Sequence, residues 1–349
     1  MKRVSLILLL MALLFLLTSL SQAQKAKWVV TGYMDWQYIW SQKQDPGTSI
    51  GTFDSYHFNP IFLFQMQDNL LAAAEVEIEH GAEIELEYAF ISYIWNDYVT
   101  LTGGKFLVPF GVFNERIHPT WIAKVPTRPF SNDQVIPVAW SEAGVMLSGA
   151  AGIAAPYSRV NYNLYLVNGL EGDAGDPMRD LRKEDVRDKE NNNKAVGGRL
   201  GIVPYKGVEI GLSCYTGKYD AEVSPKLDLN LFGIDAEFHH QDFFELRGEF
   251  NQVDQAILPD TFIVKRGWYA QAALKLGFTE VDILNPVEIA VRYSAQDFGG
   301  KAADFSEITP CLNYYLASST IFRIAYRLNQ EKENEVDNNQ FIFQFAQGF

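Results

Sequence analysis

Short stretches of alternating apolar and polar residues recur along most of this chain, and the last one is the clearest. Phe341, Phe343, Phe345 and Phe349 share one parity, and Gln340, Gln344 and Gly348 share the other. Side chains alternate across a strand, so this pattern makes one aromatic face and one polar face. At helical spacing the same phenylalanines would scatter around the circumference. An aromatic strand at a chain end invites edge pairing in water. It suits the lipid face of a closed barrel, which has no edge.

The same alternation can be followed from the other end. Trp28, Val30, Met34, Trp36, Tyr38 and Trp40 form one face of a first strand, with Thr31, Asp35 and Gln37 on the other. A loop is expected at Asp45, Pro46 and Gly47, and Phe58, Phe62, Phe64 and Met66 make a second outward face. In the next hairpin Ala72, Ala74, Val76 and Ile78 alternate with Glu75, Glu77 and Glu79. After His80, Gly81 and Ala82, the residues Ile84, Leu86, Tyr88 and Phe90 alternate with Glu83, Glu85 and Glu87. A row of carboxylates needs water, so that face is aqueous.

Continued to the C-terminus, the pattern predicts an all-β fold, a transmembrane antiparallel β-barrel of about 16 strands. The count is even, and mostly short turns alternate with longer loops, as at the two rims of a bacterial outer-membrane barrel. The barrel is expected over residues 24–349, with a long third loop at about 108–140. The polar stretch 168–194 reads as a solvated external loop. A sharper reading of it, divalent-cation bridging to lipid phosphates or to a neighbouring subunit, finds no calcium-loop pattern in Asp173 to Asp176.

The first residues change the setting. Lys2 and Arg3 precede an apolar run over 6–17 and then Ser21, Gln22 and Ala23. This reads as a secretory signal peptide over 1–23, cleaved after Ala23, and the run is shorter than the ~20 residues a spanning helix needs. Loss of Lys2 and Arg3 takes the net charge from −14 to −16. So acidic a chain is a poor partner for nucleic acid. By parity Cys214 faces lipid and Cys311 the lumen, so no disulfide is expected. The histidines are His57, His80, His118, His239 and His240, and none lies in a nucleophile-elbow or zinc-binding pattern. His239 and His240 fall in an expected short turn. No catalytic residue, metal site or cofactor is predicted, and the paired glutamates are explained by alternation alone.

Parity also populates the lumen. Glu75, Glu77, Glu79, Glu83, Glu85 and Glu87 form an acidic wall. Arg159, Arg199, Arg247, Lys275, Arg292, Arg323 and Arg327 point inward further round, interspersed with Glu209, Asp235, Glu237, Glu245, Glu249, Glu288 and Glu307. Opposed walls would set a transverse field. The alternative is a lumen of mutually satisfied ion pairs with no selective role.

Residues 104–121, Gly-Lys-Phe-Leu-Val-Pro-Phe-Gly-Val-Phe-Asn-Glu-Arg-Ile-His-Pro-Thr-Trp, resemble the stretch leading into the third loop of the phosphate-selective porin O and P family. The resemblance implies a sixteen-stranded, homotrimeric porin whose third loop folds inward to narrow the pore. Arg116, His118, Lys124 and Arg128 then become the candidates to line that constriction; the alternative is that they pair with Glu115 and Asp133 in an ordinary surface loop. The family's anion selectivity rests on lysine- and arginine-rich pore surfaces, and this acidic chain departs from that. The expected function is passive diffusion of small hydrophilic solutes or ions across a Gram-negative outer membrane, with outer-membrane lipid around the barrel. Anions such as phosphate are one class the arginine side could pass. A closed structural or adhesin-type barrel is the alternative, and an outer-membrane hydrolase a more distant one.

Overall fold

The computed structural model of the chain describes residues 26–42, 51–137, 139–153, 157–182, 194–219, 227–258, 260–279, 281–299, 304–333 and 335–349. The expected signal peptide at 1–23 and the turn at Asp45 to Gly47 lie outside these residues. Sixteen strands occur in sequence: β1 (Lys27–Ser41), β2 (Thr52–Gln67), β3 (Leu70–Glu79), β4 (Glu83–Asn96), β5 (Val99–Leu107), β6 (Ser141–Gly152), β7 (Arg159–Val167), β8 (Ala195–Val203), β9 (Val208–Lys218), β10 (Asp228–His240), β11 (Phe244–Leu258), β12 (Thr261–Lys275), β13 (Val287–Asp297), β14 (Phe305–Ala317), β15 (Thr320–Glu331) and β16 (Gln340–Gly348). Each pairs antiparallel with its sequence neighbours, and β16 returns to β1, so the barrel is closed.

The seam is aromatic. Phe345 stands opposite Trp36, Phe343 opposite Tyr38 and Phe341 opposite Trp40. Cross-strand pairs of this kind contribute roughly 0.2–1 kcal/mol each. The closure ends where the Phe349 N–H donates to the Gly32 carbonyl (2.9 Å) and the Gly32 N–H to the Phe349 carbonyl (3.1 Å). Trp28, Leu101, Leu164, Ile210 and Leu246 are among the outward residues left exposed. A continuous apolar wall is unfavourable in water and stable in hydrocarbon. Cys214 is exposed on the outside and Cys311 buried inside, and both are free.

Three features depart from simple alternation. First, pairing slips between Glu75 opposite Tyr88 and Val76 opposite Leu86. This β-bulge turns Tyr88 to the inner face beside Glu75, and Phe90, expected outside, packs on the interior core. Second, β10 runs through His239 and His240, which are strand rather than turn residues, and β11 and β12 are joined by residues 259–260 alone. Third, the interior is not wet throughout. Val108, Phe110, Val135, Ile136 and Trp140 of the third loop pack on Tyr165 of β7, Tyr215 of β9, Leu229 and Leu231 of β10 and Val253 of β11.

Leu170, Met178 and Leu181 join that core. Within 168–182 these three residues are therefore anchored on the interior core, against the expectation of a wholly solvated loop, while Asp173, Arg179 and Asp180 remain exposed. Burying a Leu or Met side chain is worth roughly 1.5–3 kcal/mol, so three such residues seat a segment whose composition is otherwise polar.

Candidate functional site

The third loop enters the lumen through a closed neck. The Val108 N–H donates to the Trp140 carbonyl at 2.8 Å. Asn114 Nδ2 donates to the Val108 and Trp140 carbonyls at 2.9 Å each, and Asn114 Oδ1 accepts the Trp140 N–H at 2.8 Å. A turn at Gly111 (φ +65°) then aims the chain inward. Glu249 of β11 receives it, its Oε2 accepting the N–H groups of Val112 (3.1 Å) and Phe113 (3.2 Å). These donors open the short helical turn Phe113–Ile117, where N–H groups lack helical partners and favour a negative charge. Glu249 Oε1 accepts from Asn132 Nδ2 at 2.7 Å, so one carboxylate ties both limbs of the loop.

Two arginines fasten the middle. Arg323 of β15 donates to the carbonyls of Thr120 and Ala123. Arg292 of β13 donates to the carbonyl of Thr127 and to Glu307 Oε1, the latter at 2.7 Å. The Phe130 N–H reaches Ser294 Oγ at 2.9 Å. The loop thus lies along the inside of β11 to β15. At Gly267 of β12 an added Cβ would come within 3.0 Å of the Ser131 backbone, so glycine permits this close approach.

The four loop candidates separate. Arg116 donates to both oxygens of Glu209 at 3.2 Å and remains partly exposed. Lys124 pairs with Glu288 at 2.9 Å and donates to Tyr315 Oη at 3.0 Å. Arg128 reaches across to Glu79 at 3.5 Å. His118 does not line open space: it is buried, with Nδ1 2.7 Å from the Asn114 carbonyl. A carbonyl only accepts, so Nδ1 carries the proton. Burial first, and the Arg128 charge second, push its pKa down to about 3.

The inward cations of the strands are mostly paired. Arg199 binds Asp235 (3.0 and 2.5 Å) and Glu209 (2.9 Å). Arg247 lies 2.5 Å from Glu245 and 3.8 Å from Glu237. Arg327 binds Glu307 and sits 5.4 Å from the Phe130 ring. Lys275 lies 5.1 Å from the Tyr315 ring. Arg159 is exposed beside Arg116, Glu115 and Glu209, lining a cavity of about 550 Å³.

The acidic wall has partners that sequence reasoning missed. Asn59 Nδ2 donates to Glu75 (2.9 Å) and Tyr33 Oη (2.7 Å). His57 lies between Asp35 (2.7 Å) and Glu79 (3.0 Å). Arg182, from the inward part of the 168–194 stretch, binds Glu85 (2.6 Å) and Glu87 (3.2 Å). Glu83 is exposed. The inward parity of Asp35 and His57 was readable from the sequence; their meeting with Glu79 across three strands was not.

No family model matches the chain. An uncharacterised protein of Aquifex aeolicus (strain VF5) is 27% identical over 199 residues, 53% of this chain, and the chain covers only 43% of that relative's length. Among solved structures, the outer-membrane channel DcaP of Acinetobacter baumannii superposes with a TM-score of 0.63 at 10% identity, over 94% of this chain and 99% of that one. An anion-selective porin from Comamonas acidovorans gives 0.64 at 11% identity, over 93% and 100%. OmpF of Salmonella typhi, in complex with daunomycin, gives 0.63 at 13% identity, over 93% and 98%. At these identities the likeness is one of fold.

Proposed function

We propose that this chain is an outer-membrane porin through which small hydrophilic solutes and ions diffuse passively, with no covalent chemistry. The observation that carries this reading is the third loop held inside a closed sixteen-stranded barrel by Glu249, Arg292 and Arg323. A barrel of this width is too wide for its own side chains to fill, and the inward loop narrows it. Arg128 on the loop and Glu79 on the wall bring opposite charges to the same narrow region. The homotrimer implied by the sequence resemblance is the assembly we expect.

Selectivity should be weak. Arg199, Arg292 and Arg323 are buried and bonded to carboxylates, loop oxygens or side-chain amides. They do not present the open cationic path a phosphate channel needs, whereas the acidic wall keeps Glu83 exposed and Glu79 partly so. Phosphate is therefore not the favoured solute.

The test is conductance and reversal potential of the purified protein in a planar bilayer under a salt gradient. Stable conductance with a reversal potential near zero supports a general porin. A strong anion preference would restore phosphate as the solute class. Absence of conductance after verified insertion would reject the porin reading and favour a closed structural barrel.

A further inference from the structure

The acidic wall holds an arrangement that solute passage does not explain. His57 Nε2 lies 3.0 Å from Glu79 Oε1 and 3.9 Å from Glu77 Oε1. Its other ring nitrogen, Nδ1, is 2.7 Å from Asp35 Oδ1. Beside it Glu79, His80 and Glu83 bring three ligand atoms within 4.8 Å of one another, and His80 Nδ1 is 2.8 Å from Asp54 Oδ2. Glu79 belongs to both triads.

Each aspartate holds an imidazole by Nδ1 and leaves Nε2 for another partner. This is how a metal-ligating histidine is oriented, with a carboxylate behind the ring. Ligands about 2.0–2.1 Å from a tetrahedral ion stand roughly 3.3 Å from one another. The two distances at His57 Nε2 fall on either side of that value. A second sign comes from β4. Glu87 is wholly buried and shares a third triad with Glu77 and Glu85. Arg182 reaches its Oε2, while its Oε1 has no hydrogen-bond partner among the described residues. A buried carboxylate oxygen without a donor leaves a place for a bound ion or an ordered water beside the cluster.

We propose that this cluster binds a divalent transition-metal ion. His57 Nε2, Glu77 and Glu79 supply the inner position, and Glu79 is shared with a more exposed position formed by His80 and Glu83. Imidazole with carboxylates suits zinc better than magnesium or calcium. An adjoining cavity of about 280 Å³, lined by Glu77, Glu79, Glu83, Arg128 and Arg182, provides the approach. An ion on Glu79 competes with Arg128 for the same carboxylate, so occupancy is linked to the inward loop.

The test uses the full folded protein, stripped with a chelator and titrated with zinc chloride by calorimetry and with cobalt(II) by visible absorption. Saturable binding is expected, unaffected by excess magnesium. His57→Gln and Glu79→Gln should each weaken it more than tenfold, and Asp35→Asn about tenfold. His240→Gln, at the opposite rim, should bind as the parent does. Absence of saturable zinc binding in the parent protein would overturn the proposal, as would parent affinity in both His57→Gln and Glu79→Gln. Heat-modifiability on gels establishes that each variant is folded. If His57→Gln does not fold, undiminished binding in both Glu79→Gln and His80→Gln is the overturning result. Binding is read without any current, so it is independent of the porin assignment.

Discussion

Glu249 and Gly111 are in direct contact: a Cβ built on Gly111 would lie 2.2 Å from Glu249 Oε1. Gly111 also sits at φ +65°, a conformation that costs other residues roughly 1–2 kcal/mol. The turn that aims the third loop inward and the carboxylate that receives it therefore depend on each other.

Gly111→Ala should destabilise the protein by about 1–3 kcal/mol, from backbone strain plus displacement of Glu249. Urea unfolding in detergent or lipid measures this. Because the two residues touch, the loss in Gly111→Ala combined with Glu249→Ala should be smaller than the sum of the single losses. Strict additivity would show that Gly111 acts through the backbone alone.

Glu249→Ala removes the acceptor for the Val112 and Phe113 N–H groups and for Asn132 Nδ2. Leaving buried donors unsatisfied costs about 1–3 kcal/mol. The barrel should still close, since its ladders do not involve this side chain. Single-channel records should show larger mean conductance and more open-channel noise. Currents identical to the parent's would mean that the arginine contacts alone hold the loop.

Neutralising Arg116, Lys124 and Arg128 to Gln should shift the reversal potential toward cation preference, because Glu209, Glu288 and Glu79 would lose their counter-charges. Arg128→Gln should have the largest single effect, since its partner lies on the acidic wall. Unchanged conductance and selectivity in the triple variant would remove the loop from the permeation path.

His118 gives a pH dependence. Its folded pKa of about 3 lies below the ordinary 6.5, so unfolding takes up a proton between these values. The stability from neutral His118 is complete above about pH 6.5 and falls as the pH drops toward 3. His118→Gln should lose stability less steeply than the parent between pH 7 and pH 4 in urea unfolding. Parallel curves would contradict a buried neutral imidazole.

Much of the architecture was legible because parity is local. The alternation at Trp28 to Trp40 and at Phe341 to Phe345 places these residues on the outer wall without knowledge of the rest of the chain. The same rule put Glu75, Glu77 and Glu79 inside. It failed at Tyr88 and Phe90, where one extra residue in a bulge reverses the facing of the residues after it. Composition misled in part at 168–182, where charge suggests a solvated loop but Leu170, Met178 and Leu181 pack on the interior core.

By itself the sequence determined an even-stranded closed barrel, its apolar exterior and its charged interior, because a strand's period of two assigns every side chain a face. Only the tertiary structure decided which charges meet. Arg323 and the Thr120 carbonyl are 203 residues apart, Glu249 and Val112 are 137 apart, and His57 joins Asp35 to Glu79 across three strands. Facing is a property of one strand. The distance across a lumen depends on closure, register and the path of the inward loop, which many residues set together.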